Sequence, residues 1–205
     1  MNMKFSDIDF SALSRMMNSM SDEEKERLNT MAENMMENMK SEPESEEETD
    51  FYAHFGISET EYADLPGQVL DQIEAASDLE QYYEDVTESD FSASVVFLSK
   101  AVLNMVRHYH AKIYQDVLDL PKFANPKTTV LYDYYYPLLD EDHIHKLSDE
   151  GLGESSLWIN HRNMLQQIYM ALNRAEYDFI SYETLQGIKS ILFDQKGLLR
   201  IKDLI

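Results

Sequence analysis

The 205-residue chain has no cysteine. Disulfides, thiolate nucleophiles, zinc–thiolate sites and iron–sulfur clusters are therefore excluded. Glycine is scarce, with six residues in all, and none falls into the GxGxxG or GxxxxGKS/T spacing that cradles phosphates. GxSxG is absent as well, so Ser155 and Ser156, which follow Gly153 and Glu154, do not form a nucleophile elbow. Basic side chains are few: 17 Lys and Arg stand against 39 Asp and Glu, a formal charge of -22. Neutralising a phosphate backbone needs concentrated Lys and Arg, so direct nucleic-acid binding is not expected. The same repulsion disfavours an anionic membrane surface. Long hydrophobic runs are missing too. The richest apolar stretch, residues 95–106, is interrupted by Ser99, Lys100 and Asn104, far short of the roughly 18 apolar residues of a membrane span. Met1 to Asp9 carries no apolar signal-peptide core, which makes the cytoplasm the expected location.

What is present is divided sharply near residue 50. Residues 1–50 hold nine of the twelve Met and no Tyr, whereas residues 51–205 hold all thirteen Tyr, the single Trp and seven of the nine Phe. Rigid aromatics suit a unique packed core, and Met adapts to irregular surfaces. The expected organisation is a Met-rich amphipathic helical arm over 1–40, an acidic linker over 41–50 and an α-helical globular domain over 51–205. The fold class is mainly α: a helical-bundle-like domain, with or without one short β element, preceded by a Met-rich helical hairpin.

In the arm, Phe10, Leu13, Met17 and Met20 recur at helical spacing with Met16 beside them. Ser21 followed by Asp22, Glu23 and Glu24 starts a second helix, by capping and by acid near the positive end of the helix dipole. Leu28, Met31, Met35 and Met39 lie along one face of that helix, widened by Met36. Helices this short are marginal alone, so their stripe has to land on something. Ser41 to Asp50 holds six carboxylates, one Pro and no apolar residue, the composition of a solvated, self-repelling tether.

In the domain, Ser58 and Glu61 predict a capping box over a short helix that stops near Leu65-Pro66. A second helix follows Pro66, with Val69, Leu70, Ile73, Ala76, Leu79, Tyr82 and Tyr83 on one face. A third is expected to run unbroken from Ser92 to Leu118, roughly 40 Å at 1.5 Å per residue. Residues 128–136, β-branched and tyrosine-rich, fit a strand or an aromatic helix equally well. Short and long helices are expected from Asp140 to Lys146 and from Ser155 to Ala175, the latter with Leu157, Trp158, Met164, Leu165, Ile168, Tyr169 and Leu172 towards the core. Another starts near Ser181, followed by a turn at Asp194–Gly197 and an apolar terminal segment that docks on the core.

The chemical signals are weaker. Asp140, Glu141, Asp142, His143 and His145 offer oxygen and nitrogen ligands. His143 and His145 would share a face only on a strand, and His108 and His110 lie about 200° apart on a helix. No catalytic residue, metal ligand or cofactor is assigned. The tyrosines at 132, 134, 135 and 136 suit core packing or a protein-binding surface better than base stacking, because the carboxylates around them repel phosphates.

The Met stripe is the leading functional signal, since a thioether surface repacks around varied apolar partners. In this general character residues 10–39 are similar to the Met-rich helical hairpins of some co-chaperones, without a shared motif. The expected function is that of a non-enzymatic interaction protein, an adaptor or chaperone-like factor. It would hold another protein, or a second copy of itself, through Leu13, Met16, Met17, Met20, Leu28, Met31, Met35 and Met39. One alternative is an acidic decoy of a basic nucleic-acid-binding protein, suggested by 25 acidic against 12 basic residues in 51–205. Another is a metal-dependent enzyme using the Asp140–His145 region.

Overall fold

A computed structural model describes residues 50–83 and 89–204. The arm over 1–40 and the linker up to residue 49 lie outside the described residues. Among the described residues there are ten α-helices and no strand, and no helix is long and apolar enough to cross a membrane. The helices are α1 (Phe51–His54), α2 (Glu59–Tyr62), α3 (Gly67–Tyr83), α4 (Ser92–Tyr109), α5 (Ala111–Asp116), α6 (Leu131–Tyr135), α7 (Glu141–Asp149), α8 (Ser155–Ala175), α9 (Tyr182–Lys189) and α10 (Gly197–Arg200).

Helix α4 is the spine. Its Val95, Leu98, Ala101, Val102, Met105 and Val106 are wholly buried, and it packs against α3 on one side and α8 on another. From α3 come Val69, Ile73 and Ala76, and from α8 come Trp158, Leu165 and Ile168. The spacings within each set, three, four or seven residues, return to the same side of a helix, which is why one face of each helix leaves water. The start of α4 is tied to the loop before α9. Asp90 Oδ1 accepts from Ser92 N–H (3.0 Å), Ser92 Oγ–H (2.6 Å) and Ile180 N–H (3.0 Å).

The expected single helix over 92–118 is interrupted at His110. Hydrogen bonds pass through the break, from His110 N–H to Val106 O (2.8 Å) and from Tyr114 N–H to His110 O (2.9 Å). The His110 backbone nevertheless departs from helical values, with φ -106° and ψ -16°. Its ring is buried and donates from Nε2 to the Ile201 carbonyl (2.8 Å). The break thus coincides with a bond to a residue 91 positions away, which apolar periodicity does not register.

The ambiguous 128–136 segment forms no strand: Thr129 and Val130 are extended, and the chain is helical from Leu131 onward. The Thr129 hydroxyl donates to Pro126 O (2.6 Å), and the Asp133 carboxylate accepts the Val130 N–H (2.8 Å), satisfying a donor that opens α6. Arg107 secures the approach by donating to the carbonyls of Lys127 and Thr129. Leu131, Tyr134 and Leu138 then enter the core, overriding the β-propensity of the run.

Two expectations about caps and faces need correction. Ser58 does precede α2, but its hydroxyl meets Thr60 Oγ1 (2.8 Å) and caps no backbone donor, so the capping box is not formed. Tyr82 is 75% exposed and Leu157 is also on the surface, so neither belongs to the core. By contrast, the Ser181 hydroxyl accepts from Thr184 N–H (3.3 Å) and opens α9. Beyond α9 the chain widens into a π-helical turn over Ser190–Asp194 before α10. Leu198, Leu199, Ile201 and Leu204 then pack into the core, as the apolar C-terminal pattern requires.

Candidate functional site

The residues expected to carry binding, Leu13, Met16, Met17, Met20, Leu28, Met31, Met35 and Met39, lie outside the described residues. Within the domain, two features stand out.

The first is a tyrosine face. Helix α6 and the 3-10 turn that follows it (Tyr136–Leu139) bury one apolar stripe and expose another. Leu131, Tyr134 and Leu138 point inward, whereas Tyr132 is 40%, Tyr136 57% and Leu139 47% exposed. Positions 132, 136 and 139 lie four and three residues apart, with half-buried Tyr135 between them, so they fall on one side of the element. Tyr132 stacks on Tyr136 with centroids 5.2 Å apart. Tyr169, from α8, meets Tyr132 at 5.4 Å and Tyr135 at 6.2 Å. Desolvation by the surrounding rings, followed by the neighbouring tyrosines and Asp133, raises the Tyr132 hydroxyl above its ordinary range. Behind the face, Tyr134 is anchored: its carbonyl accepts from Tyr114 Oη–H (2.8 Å), and burial pushes its own hydroxyl up to about 12. The stripe runs directly into exposed Asp140, Glu141 and Asp142.

The Asp140–His145 cluster is used structurally. Asp140 Oδ1 accepts from Asp142 N–H (3.0 Å) and caps α7. His143 Nδ1–H donates to the Pro137 carbonyl (2.9 Å). Because the segment is helical, His143 and His145 do not share a face. Among the described residues no group of three or more His, Asp or Glu is arranged to hold a metal ion.

The second feature is a cavity of about 570 Å³ between α8 and the chain beyond α9. Its floor is Met164, Ile191, Gly197 and Leu204, with His161 in the wall. Its rim carries the carboxamides of Asn160, Asn163, Gln167 and Gln195, together with Arg200 and Asp203. His161 is 6% exposed, and its Nε2 has no hydrogen-bond partner. Its ring meets His110 edge to face at 4.9 Å and Trp158 at 5.7 Å. Burial, then the His110 charge, holds the His161 imidazole well below its ordinary range. Burial likewise brings His110 down to about 4, against a smaller opposing effect of its bond to Ile201. Both rings are neutral near pH 7.

Three backbone irregularities converge on this wall: the π-turn, Lys196 in the left-handed region (φ 55°), and the close approach at Gly197. Strained and irregular backbone of this kind concentrates at functional sites. The carboxamides at 160, 163 and 167 stand at helical spacing on α8, but that pattern alone does not reveal a cavity. The partner wall lies thirty residues later, and no local pattern links the two. No protein family, curated protein or solved structure matches this chain.

Proposed function

We propose that this chain is a non-enzymatic protein-interaction protein, of adaptor or chaperone-like character, with contacts on the tyrosine face of the domain and on the Met-rich arm. The carrying observation is the second, outward apolar stripe of α6 and the 3-10 turn that follows it. Tyr132, Tyr136 and Leu139 are large, adjacent and exposed beside Tyr169, where a solvated helix face would be polar. Tyrosines supply rigid contact area at low entropic cost and rank among the residues that dominate interfaces. The partner that fits is a protein segment carrying apolar and basic side chains. Lys or Arg would lie over the exposed rings and face Asp140, Glu141 and Asp142.

The test is partner capture by the full-length protein, its Tyr132→Ser/Tyr136→Ser variant and its Met17→Ser/Met31→Ser/Met35→Ser variant, each checked for unchanged helical circular dichroism. Loss of about tenfold or more in affinity is expected from each. Capture undiminished in both folded variants overturns the proposal. A partner kept by both but stripped by moderate salt points instead to the acidic-decoy alternative, for which the charge of -22 speaks. A Met- and Tyr-mediated contact tolerates that salt.

A further inference from the structure

The cavity between α8 and the C-terminal segment is separate from the tyrosine face and has its own chemistry. We propose that it is a binding site for an uncharged aromatic heterocycle with amide-type edges, of the nucleobase or nucleoside kind.

The wall is built for a ligand in a way that an accidental surface hollow is not. His161 is more than nine-tenths buried, yet its Nε2 makes no hydrogen bond. An unpaired buried polar atom is costly, so its retention in the wall of the cavity is not what packing alone would select. Gly197 brings its backbone so close to Ile191 O and Met164 Sδ that a Cβ would lie 2.5 Å and 2.9 Å from them. The floor is therefore shaped by the π-turn and by a residue with no side chain. At about 570 Å³ the space falls within the range of sites for small organic molecules.

The lining selects the class. Its charged side chains are one cation, Arg200, and one anion, Asp203. The two charges offset, so the lining favours an ionised ligand of neither sign, and an anion also meets the repulsion of the whole chain, at -22. A molecule without net charge meets no such repulsion. Four carboxamides share the rim, each presenting a donor and an acceptor in one plane. Such groups pair in bidentate fashion with the alternating donors and acceptors along the edge of a nucleobase. The floor adds apolar Ile191 and Leu204 with the Met164 sulfur, a favourable contact for an aromatic ring. The ligand is a free small molecule, since the phosphates of a polymer would be repelled.

The experiment is a titration of the full-length protein with adenosine, guanosine, cytidine and uridine. It is followed by calorimetry and by the emission of Trp158, the only tryptophan, whose ring lies 5.7 Å from His161. The expected result is saturable binding of at least one nucleoside below roughly millimolar concentration. Its 5′-monophosphate should bind several-fold more weakly. In the Asn160→Leu/Gln167→Leu variant, whose changes are on the exposed rim, affinity should fall about tenfold with the melting temperature preserved. Absence of binding by all four nucleosides overturns the proposal, as does equal binding by the rim variant. Tighter binding of the monophosphate, or an equal response to octanol as an apolar control, overturns it as well.

Discussion

Gly197 is wedged against the Ile191 carbonyl and the Met164 sulfur, with no room for a methyl group. Because the nearer neighbour is backbone, an added Cβ must displace the π-turn. Gly197→Ala is expected to cost about 1–3 kcal/mol, measured by urea unfolding. Gly67→Ala, where a Cβ would meet nothing, serves as the control. His110 acts at the same scale by titration. Its folded-state value, lowered to about 4 from 6.5, means that the unfolded chain takes up the proton first as pH falls. The stability it contributes is complete above pH 6.5 and is lost as pH drops towards 4, by on the order of 3 kcal/mol. His110→Gln can retain a donor to the Ile201 carbonyl but cannot titrate. Unfolding measured from pH 7 to pH 4 should therefore fall less steeply in the variant than in the wild type.

At the scale of elements, Glu80 on α3 is the clearest tie between helices. Its side chain is 1% exposed, with Lys189 Nζ at 2.7 Å and Gln186 Nε2 at 3.0 Å on Oε1, and His54 Nε2 3.3 Å from Oε2. Three helices, α1, α3 and α9, meet at one carboxylate. Lys189 also lies over the Phe55 ring, 4.8 Å from its centroid. Breaking a buried pair strands the remaining charge, so Lys189→Met is expected to cost about 3–5 kcal/mol. Replacing both partners removes that penalty. Glu80→Leu/Lys189→Met should recover most of the loss, and a double-mutant cycle by chemical denaturation checks it. The position of α3 and the Gly67–Tyr83 stretch were readable from the 3.6-residue period of Val69, Ile73 and Ala76. That Glu80 would sit on the buried side was not, because its partners come from residues 54, 186 and 189. For α6 the difficulty is of another kind. Thr129, Val130 and four tyrosines satisfy strand and helix patterns alike, and the bonds from Asp133 and Thr129 tip the choice.

Across the whole molecule, the charge of -22 opposes compactness through self-repulsion. Pairs such as Lys112–Asp116 and Arg174–Asp178 are exposed and contribute little. Screening should therefore relieve more repulsion than attraction. The melting temperature is expected to rise by a few degrees between about 10 mM and 150 mM salt, where the Debye length shortens from about 30 to 8 Å. Calorimetry at the two salt concentrations checks this, and a fall would place the ion pairs above the repulsion.

The amino-acid sequence by itself determined that the domain is helical, where its longest helices lie and which chemistries are excluded. Those properties follow from local periodicity, from caps such as Ser181 and from composition, all of which act over a few residues. Only the tertiary structure decided the bond from His110 to Ile201, the buried side of Glu80, the outward stripe of α6 and the turn after it, and the cavity beside His161. Each depends on atoms brought together from distant positions, Ile201 against His110 or Gly197 against Met164. Such meetings are set by how whole faces pack, for which a linear pattern carries no coordinate.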